Sequence, residues 1–87
     1  MIKVTAVKAN DDHTLDLQFS DGSVKRFDVK PYLKYGVFRE LQDLSYFKQV
    51  RLALGTVQWP HKQDIAPDTL FIEGEPSLEP FKSSSIQ

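Results

Sequence analysis

The chain has 87 residues, enough for one small domain, and its 40% hydrophobic and 26% charged residues are typical of a folded protein rather than a disordered one. The absence of cysteine excludes a disulfide framework and a thiolate metal site. The net charge of −1 hides an uneven distribution, because residues 25–51 carry seven basic and three acidic side chains, whereas residues 63–87 carry five acidic and one basic. Such asymmetry occurs on binding faces for phosphate or acidic proteins, and also on ordinary solvated surfaces.

The sequence has no run of 18 apolar residues, and its first residues lack the charged leader and apolar stretch of a secretion signal. We therefore expect a soluble, cytoplasmic protein that does not engage a membrane.

The first predicted strand covers residues 2–8, where Ile2, Val4 and Ala6 alternate with other positions. The acidic turn that follows lacks the glycine and the further oxygen ligands of a calcium loop, so its side chains are expected to bond backbone groups. His13, at the end of this turn, is expected to be an exposed loop residue.

The strongest local signal is a β-hairpin over residues 14–29, in which apolar and polar residues alternate on both sides of a Ser-Asp-Gly loop. A two-residue turn would place Leu17 opposite Arg26. A three-residue loop, with Gly22 in the left-handed conformation, instead places Leu17 opposite Lys25. We favour the three-residue loop because it brings the large apolar residues of the hairpin to one face. These residues are Leu15, Leu17, Phe19, Phe27 and Val29.

Short helices are predicted between this hairpin and the next. Pro31 begins a helical turn, a second short helix has Val37, Phe38 and Leu41 at helical spacing, and Ser45 caps a third. The aromatic side chains of this region could be stacking platforms for bases or the lid of the core, and their helical spacing favours the core. They are Tyr35, Phe38, Tyr46 and Phe47.

A second hairpin is predicted over residues 49–59, with its turn at Gly55-Thr56. The only tryptophan, Trp59, is expected to pack across the end of the sheet, since Pro60 forces an extended or turn geometry. One last helical turn is expected to begin at Pro67.

Together these elements predict an α+β protein, a small two-layer domain in which one antiparallel sheet of hairpins is covered on one face by short helices. Residues 1–72 are expected to form this single domain. Residues 73–87 are expected to be a poorly ordered C-terminal tail.

Four groups of residues occur in a specific order along the chain. They are Thr14-Leu15 leading to Phe19-Ser20-Asp21-Gly22, Phe27-Asp28-Val29 with Pro31-Tyr32-Leu33, Gly36-Val37-Phe38 with Leu41 and Phe47, and Val57-Gln58-Trp59-Pro60-His61-Lys62-Gln63-Asp64-Ile65-Ala66-Pro67-Asp68-Thr69-Leu70. In this order they resemble domain-of-unknown-function family 2442, whose common form has Asn-Gly where this chain has His61-Lys62. The resemblance implies a small bacterial α+β protein. Some relatives carry a helix-turn-helix domain after this module, and others look like one half of two-gene cassettes of toxin–antitoxin appearance.

Catalysis is not expected from the sequence. The only cluster with chemical promise is His61, Asp64 and Asp68 near Trp59, and no nucleophile accompanies it. No cofactor or metal is predicted, because two distant histidines do not make a recognisable ligand pair.

Two functions of different classes remain. The family resemblance, the hairpin edges and the charge asymmetry favour a non-enzymatic protein-interaction or antitoxin-like regulatory module, with a protein partner or a second copy bound at a strand edge. The alternative is a nucleic-acid-binding module that uses the basic region between Lys25 and Arg39. The candidate interaction surface comprises Trp59, His61, Asp64, Lys25, Arg26, Lys30, Lys34, Tyr35 and Arg39.

Overall fold

The computed structural model describes residues 1–77 and residue 81. The strands in these residues are β1 (Val4–Ala9), β2 (Thr14–Phe19), β3 (Val24–Asp28), β4 (Arg51–Ala53), β5 (Thr56–Gln58), β6 (Asp64–Ile65) and β7 (Glu75–Pro76). The α-helices are α1 (Leu44–Phe47) and α2 (Pro67–Glu73), and two 3-10 helices, Lys30–Tyr32 and Gly36–Gln42, lie between β3 and α1. This content confirms the predicted α+β class. Within the described residues, no helix is long and apolar enough to cross a membrane.

The strands form two antiparallel sheets rather than the single sheet expected. The first has the order β1-β2-β3-β7, and the second has the order β4-β5-β6. They meet where the amide of Val4 donates to the carbonyl of Gly55 (2.9 Å), which joins β1 to the tip of the β4–β5 hairpin. Because this contact is made at the turn, it does not extend into a ladder, and the sheets stay separate.

The hairpin of β2 and β3 has the predicted three-residue loop. Leu15 pairs with Phe27 and Leu17 pairs with Lys25. Gly22 has a φ of +88°, a conformation that glycine adopts without steric cost. The apolar residues assigned to one face are all buried, so the predicted register is confirmed.

The first strand begins at Val4 and contains a β-bulge. Val4 pairs with Phe19, but Ala6 rather than Thr5 pairs with Gln18. After the bulge Val7 is buried while Ala6 is only half-buried. The predicted alternation through Ala6 is therefore wrong, because an extra residue moves each later side chain to the opposite face.

Helix α1 is capped by Asp43 and not by Ser45. The Asp43 carboxylate accepts hydrogen bonds from the amide (3.0 Å) and the hydroxyl (2.9 Å) of Ser45. The serine hydroxyl holds the pKa of Asp43 below its usual range, and the amide adds to this. An aspartate at the cap satisfies an amide that the short helix leaves unpaired.

Both sheets and the helices share one core. Its largest fully buried side chains include Trp59, Phe19, Phe27, Phe47, Leu15, Leu17, Leu41 and Leu70. Residues from the second 3-10 helix, α1 and α2 therefore cover the strands, as the pattern of short helices predicted.

The folded part continues past the boundary predicted at residue 72. Helix α2 ends at Glu73, and β7 then pairs with β3 through Glu75–Arg26 and Pro76–Lys25. A two-residue strand has no periodic signal, so the sequence pattern does not reveal it. Residues 78–80 and 82–87, which make up most of the predicted tail, lie outside the described residues.

His13 is not the exposed loop residue that was expected. It is half-buried with a φ of +62°, and its ring lies 4.9 Å from the ring of Phe47. The preceding Asp12 carboxylate accepts hydrogen bonds from the amide (3.2 Å) and hydroxyl (2.6 Å) of Thr14, which matches the turn role predicted for the acidic residues. The hydroxyl of Thr14 lowers the pKa of Asp12. Hydrogen bonds between Asp12 and Thr14 therefore stabilise the turn, and the ring of His13 packs against Phe47 of the core.

Candidate functional site

Trp59 belongs to the core and not to the predicted interaction surface. Its side chain is fully buried and stacks on Phe47, with ring centroids 5.9 Å apart. The indole Nε1 donates to the carbonyl of Phe47 (2.7 Å), so its polar atom is satisfied. Trp59 thus fixes the start of the loop that follows.

The loop from Trp59 to Gln63 repeats the geometry of the first hairpin loop. The Trp59 amide donates to the Gln63 carbonyl (2.9 Å), and the Lys62 amide donates to the Trp59 carbonyl (2.9 Å). In the loop between β2 and β3, the Phe19 amide likewise donates to the Ser23 carbonyl (2.9 Å), and the Gly22 amide donates to the Phe19 carbonyl (2.9 Å). Lys62 has a φ of +77°, so a lysine holds the left-handed position.

Gln63 is the centre of a buried polar network that sequence reasoning missed. Its side chain is 4% exposed, and its Nε2 donates to the Val37 carbonyl (3.1 Å) and to Glu40 Oε1 (2.9 Å). Its Oε1 accepts a hydrogen bond from the Tyr46 hydroxyl (2.6 Å). A glutamine inside a loop motif gives no sequence signal of burial, since glutamine is usually exposed. We call these residues, together with His61, the Gln63 network.

His61 closes the Gln63 network from the solvent side. Its Nδ1 lies 2.7 Å from Glu40 Oε2, its amide donates to the Tyr46 hydroxyl (2.9 Å), and its ring lies 5.3 Å from the Tyr46 ring. Hydrogen bonds from His61 and then Gln63 hold the pKa of Glu40 below its usual range. The network therefore ties the Trp59–Gln63 loop to the second 3-10 helix.

The predicted cluster of His61, Asp64 and Asp68 does not share hydrogen bonds in the described residues. His61 is oriented by Glu40 instead. Asp64 is an exposed residue of β6 that pairs with Gln58. The His61 ring therefore pairs with the Glu40 carboxylate and not with the two aspartates of the predicted cluster.

Three of the five basic candidates are engaged within the domain. Lys25 Nζ donates to the Phe71 carbonyl (2.5 Å) and lies 3.8 Å from the centroid of the Phe71 ring. Arg26 forms an ion pair with Asp16 (2.7 Å). Lys30 pairs with a neighbouring carboxylate and also donates to the carbonyl of Asp12 (3.1 Å). These contacts reduce the cationic groups available to an external ligand.

The remaining candidates lie on one largely exposed segment, residues 34–39, which we call the 34–39 surface. Tyr35 is 58% exposed and Val37 is 68% exposed. Lys34 Nζ lies 5.4 Å from the centroid of the Tyr35 ring, and Arg39 is exposed. Within residues 1–77 and 81, neither Lys34 nor Arg39 forms an ion pair. The segment thus presents an aromatic and an aliphatic side chain between two cations.

The helical spacing of Val37, Phe38 and Leu41 predicts that Val37 lies on the apolar side of a short helix. The helix is a 3-10 helix, in which residues three apart lie on the same side. Phe38 and Leu41 therefore share the inner side, and Val37 falls outside it. The carbonyl of Val37 is the group that Gln63 holds, so the exposed side chain sits on a fixed backbone.

The fold and these contacts define a small α+β domain in which Trp59 and Gln63 are buried at the two ends of a loop, and Gln63 donates to the Val37 carbonyl of a short exposed segment. A family model described as protein of unknown function (DUF2442) matches residues 4–75, and the chain belongs to this family, as its motifs predicted. No curated protein and no solved structure matches the chain. The motif residues Trp59 and Gln63 are buried, and Gln63 donates to the carbonyl of Val37 within the 34–39 surface.

Proposed function

We propose that the protein is a non-enzymatic protein-interaction module whose partner binds the 34–39 surface. The observation that carries this proposal is the exposure of Tyr35 and Val37 on a segment whose backbone is fixed by Gln63. Tyrosine and arginine are enriched at the energetic centres of protein interfaces, and Arg39 lies on the same segment. A rigid segment also loses little conformational entropy on binding, which favours affinity.

The charges indicate the chemistry of the partner. Lys34 and Arg39 flank the exposed apolar side chains and have no internal ion pair in the described part of the chain. A protein surface that carries an apolar patch with carboxylates around it would complement both features. An antitoxin-like regulatory role is the narrower form of the proposal, and it assigns the partner to the product of an adjacent gene.

Site-specific photocrosslinking in the native cells tests the proposal. A photoreactive phenylalanine analogue replaces Val37, and a matched control carries it at Ile72, which is also exposed, on α2. We expect a discrete protein adduct from position 37 that is absent from position 72 and is reduced by Tyr35→Ser. Absence of a protein adduct at position 37, or the same adducts at both positions, would contradict the proposal. Co-purification with the adjacent gene product then tests the antitoxin-like form.

Nucleic-acid binding is the second candidate function, and it is supported by the cation beside an aromatic ring at Lys34 and Tyr35. Bases stack on such rings while cations meet phosphates. Three other basic side chains of the predicted set are already engaged, so the electrostatic contribution would come chiefly from Lys34 and Arg39. A labelled single strand that fails to bind at ~50 mM salt, where counterion release favours binding, would exclude this candidate.

A further inference from the structure

We propose that the protein binds a linear aliphatic diamine in a cleft beside the end of β3, which we call the β3 cleft. The β3 cleft has a volume of about 420 Å³, within the range of small-molecule sites. Its walls come mainly from β3, the first 3-10 helix, α2 and β7, and they include no residue of the 34–39 surface. This proposal and the proposed function therefore succeed or fail independently.

One wall of the β3 cleft is apolar. Pro31 and Tyr32 of the first 3-10 helix line it beside Phe27 of β3. The Tyr32 ring stacks on Phe27 with the ring centroids 5.7 Å apart, and it meets the Phe38 ring edge-on at 6.0 Å. Because these two contacts hold the Tyr32 ring in place, the wall is a preformed surface for an aliphatic chain.

The wall formed by α2 and β7 carries two carboxylates, those of Glu73 and Glu75, and both side chains are exposed. Within residues 1–77 and 81, neither forms an ion pair. The Tyr32 hydroxyl donates to Glu73 Oε1 (2.6 Å), and this bond raises the pKa of Tyr32, so the phenol stays neutral. Two carboxylates of the β3 cleft thus lack a compensating cation in the described part of the chain.

The other charged side chains that line the β3 cleft are paired. The Arg26 guanidinium bonds both carboxylate oxygens of Asp16, at 2.7 and 3.3 Å. Asp28 forms an ion pair with Lys30 (3.0 Å). The charge that remains is negative, and it attracts a cation rather than a phosphate or a carboxylate.

The backbone between the two carboxylates is closely packed at Gly74. The Gly74 amide donates to the Leu70 carbonyl (3.0 Å), and a Cβ atom at Gly74 would lie 2.6 Å from that carbonyl oxygen and 3.2 Å from the Lys25 Cβ. The next residue, Glu75, pairs with Arg26 of β3. The carboxylates therefore extend from a fixed backbone, which reduces the conformational entropy lost when a ligand binds.

A diamine matches both walls of the β3 cleft. Its two ammonium groups balance the charges of Glu73 and Glu75, and its methylene chain can cover the Tyr32 ring. A primary ammonium donates three hydrogen bonds to such acceptors, whereas a quaternary ammonium donates none. A metal ion fits less well, because residues 1–77 and 81 contain no group of three or more histidine or acidic side chains that could hold one.

An NMR titration of the isotope-labelled full chain with putrescine at ~20 mM salt tests this proposal. We expect saturable shifts of the amide signals of Tyr32, Gly74 and Glu75, with a Kd of ~0.1–1 mM. Butylamine has the same carbon chain but one ammonium group, and it is expected to bind at least about fivefold more weakly. Magnesium chloride is the control for attraction by charge alone.

Glu73→Gln and Glu75→Gln each remove one charge from the β3 cleft, and Glu73→Gln keeps an acceptor for the Tyr32 hydroxyl. Asp64→Asn is the matched control, because it removes a charge from an exposed side chain on β6, which does not line the cleft. We expect each glutamine variant to raise the Kd for putrescine at least about fivefold, and the control to change it less than about twofold.

Three results would overturn the proposal. They are the absence of saturable shifts up to ~20 mM putrescine, the same shifts with magnesium chloride or equal affinity for butylamine, and unchanged affinity in both glutamine variants. Both substitutions are at exposed positions, so the variants are expected to fold, and unchanged amide signals elsewhere in their spectra check this.

Discussion

Lys62 adopts in the Trp59–Gln63 loop the same left-handed backbone conformation that Gly22 adopts in the first hairpin loop. Their φ values are +77° and +88°, and each donates its amide to the carbonyl three residues earlier. A side chain with a Cβ atom is strained in this conformation, whereas glycine is not. The loop at the centre of the family motif therefore stores strain that the equivalent loop avoids.

Lys62→Gly is expected to stabilise the protein. Relief of left-handed strain of ~1–3 kcal/mol, less the ~0.4–1 kcal/mol by which glycine favours the unfolded chain, predicts a gain of about 1 kcal/mol. Urea unfolding measures this change. Gly22→Ala is the reciprocal control and should lose about 1 kcal/mol, because open space surrounds Gly22 and the cost is conformational. If the Lys62→Gly variant were less stable than wild type, contacts of the lysine side chain would stabilise the folded protein by more than the left-handed strain costs.

Phe27→Ala is expected to unfold the domain or bring it close to unfolding. Phe27 lies on β3 and is fully buried, and the ring of Tyr32 stacks on it with the ring centroids 5.7 Å apart. Truncation of a buried aromatic costs ~3–5 kcal/mol, which is most of the stability of a small domain. Tyr35→Ala serves as the comparison, because an exposed side chain should cost no more than ~0.5 kcal/mol. Circular dichroism with urea titration distinguishes the two, and equal stabilities would refute the hairpin register.

The parts of the fold that sequence pattern predicted are local. The hairpin register follows from strict alternation and from Gly22, and both signals lie within residues 14–29. The bulge in β1 directly follows Val4, whose amide donates to the carbonyl of Gly55, a residue distant in sequence. The 3-10 helix of residues 36–42 is bonded at the carbonyl of Val37 by Gln63, which is also distant in sequence. Features set by distant contacts leave no periodic signal in the chain.

The candidate site shows the same division between local and distant causes. Lys34, Tyr35 and Arg39 were recognisable because charged and aromatic residues alternate along a short stretch. The sequence could not predict that Lys25 lies outside this surface, because its Nζ bonds the carbonyl of Phe71 on α2 and packs on the ring of the same residue. Electrostatic reasoning from sequence counts charges but does not reveal which of them are already paired in the fold.

Tyr46→Phe is expected to lower stability by roughly 1–3 kcal/mol, because it removes the buried partner of two polar groups. The hydroxyl donates to Gln63 and accepts from the His61 amide, and Tyr46 is buried. Tyr32→Phe is the matched control, since its hydroxyl bond to Glu73 (2.6 Å) is exposed and its loss should cost less than ~1 kcal/mol. Denaturant unfolding of both variants measures the difference. Similar costs would indicate that water replaces the lost hydroxyl in the Gln63 network.

Glu40 is expected to make stability depend on pH in the acid range. Its pKa in the folded protein is lowered from the ordinary value of 4.5 by hydrogen bonds from His61 and Gln63. The associated stability is therefore complete above the unfolded pKa and is lost as the pH falls through the folded pKa, when the carboxylate gains a proton. Glu40→Gln removes this dependence but keeps an acceptor for Gln63. We expect the stability difference between wild type and Glu40→Gln to shrink from about pH 6 to about pH 2, as measured by urea unfolding. Parallel losses in the two proteins would assign the acid sensitivity to other carboxylates, and a direct NMR titration of the Glu40 carboxyl would then show an unshifted midpoint.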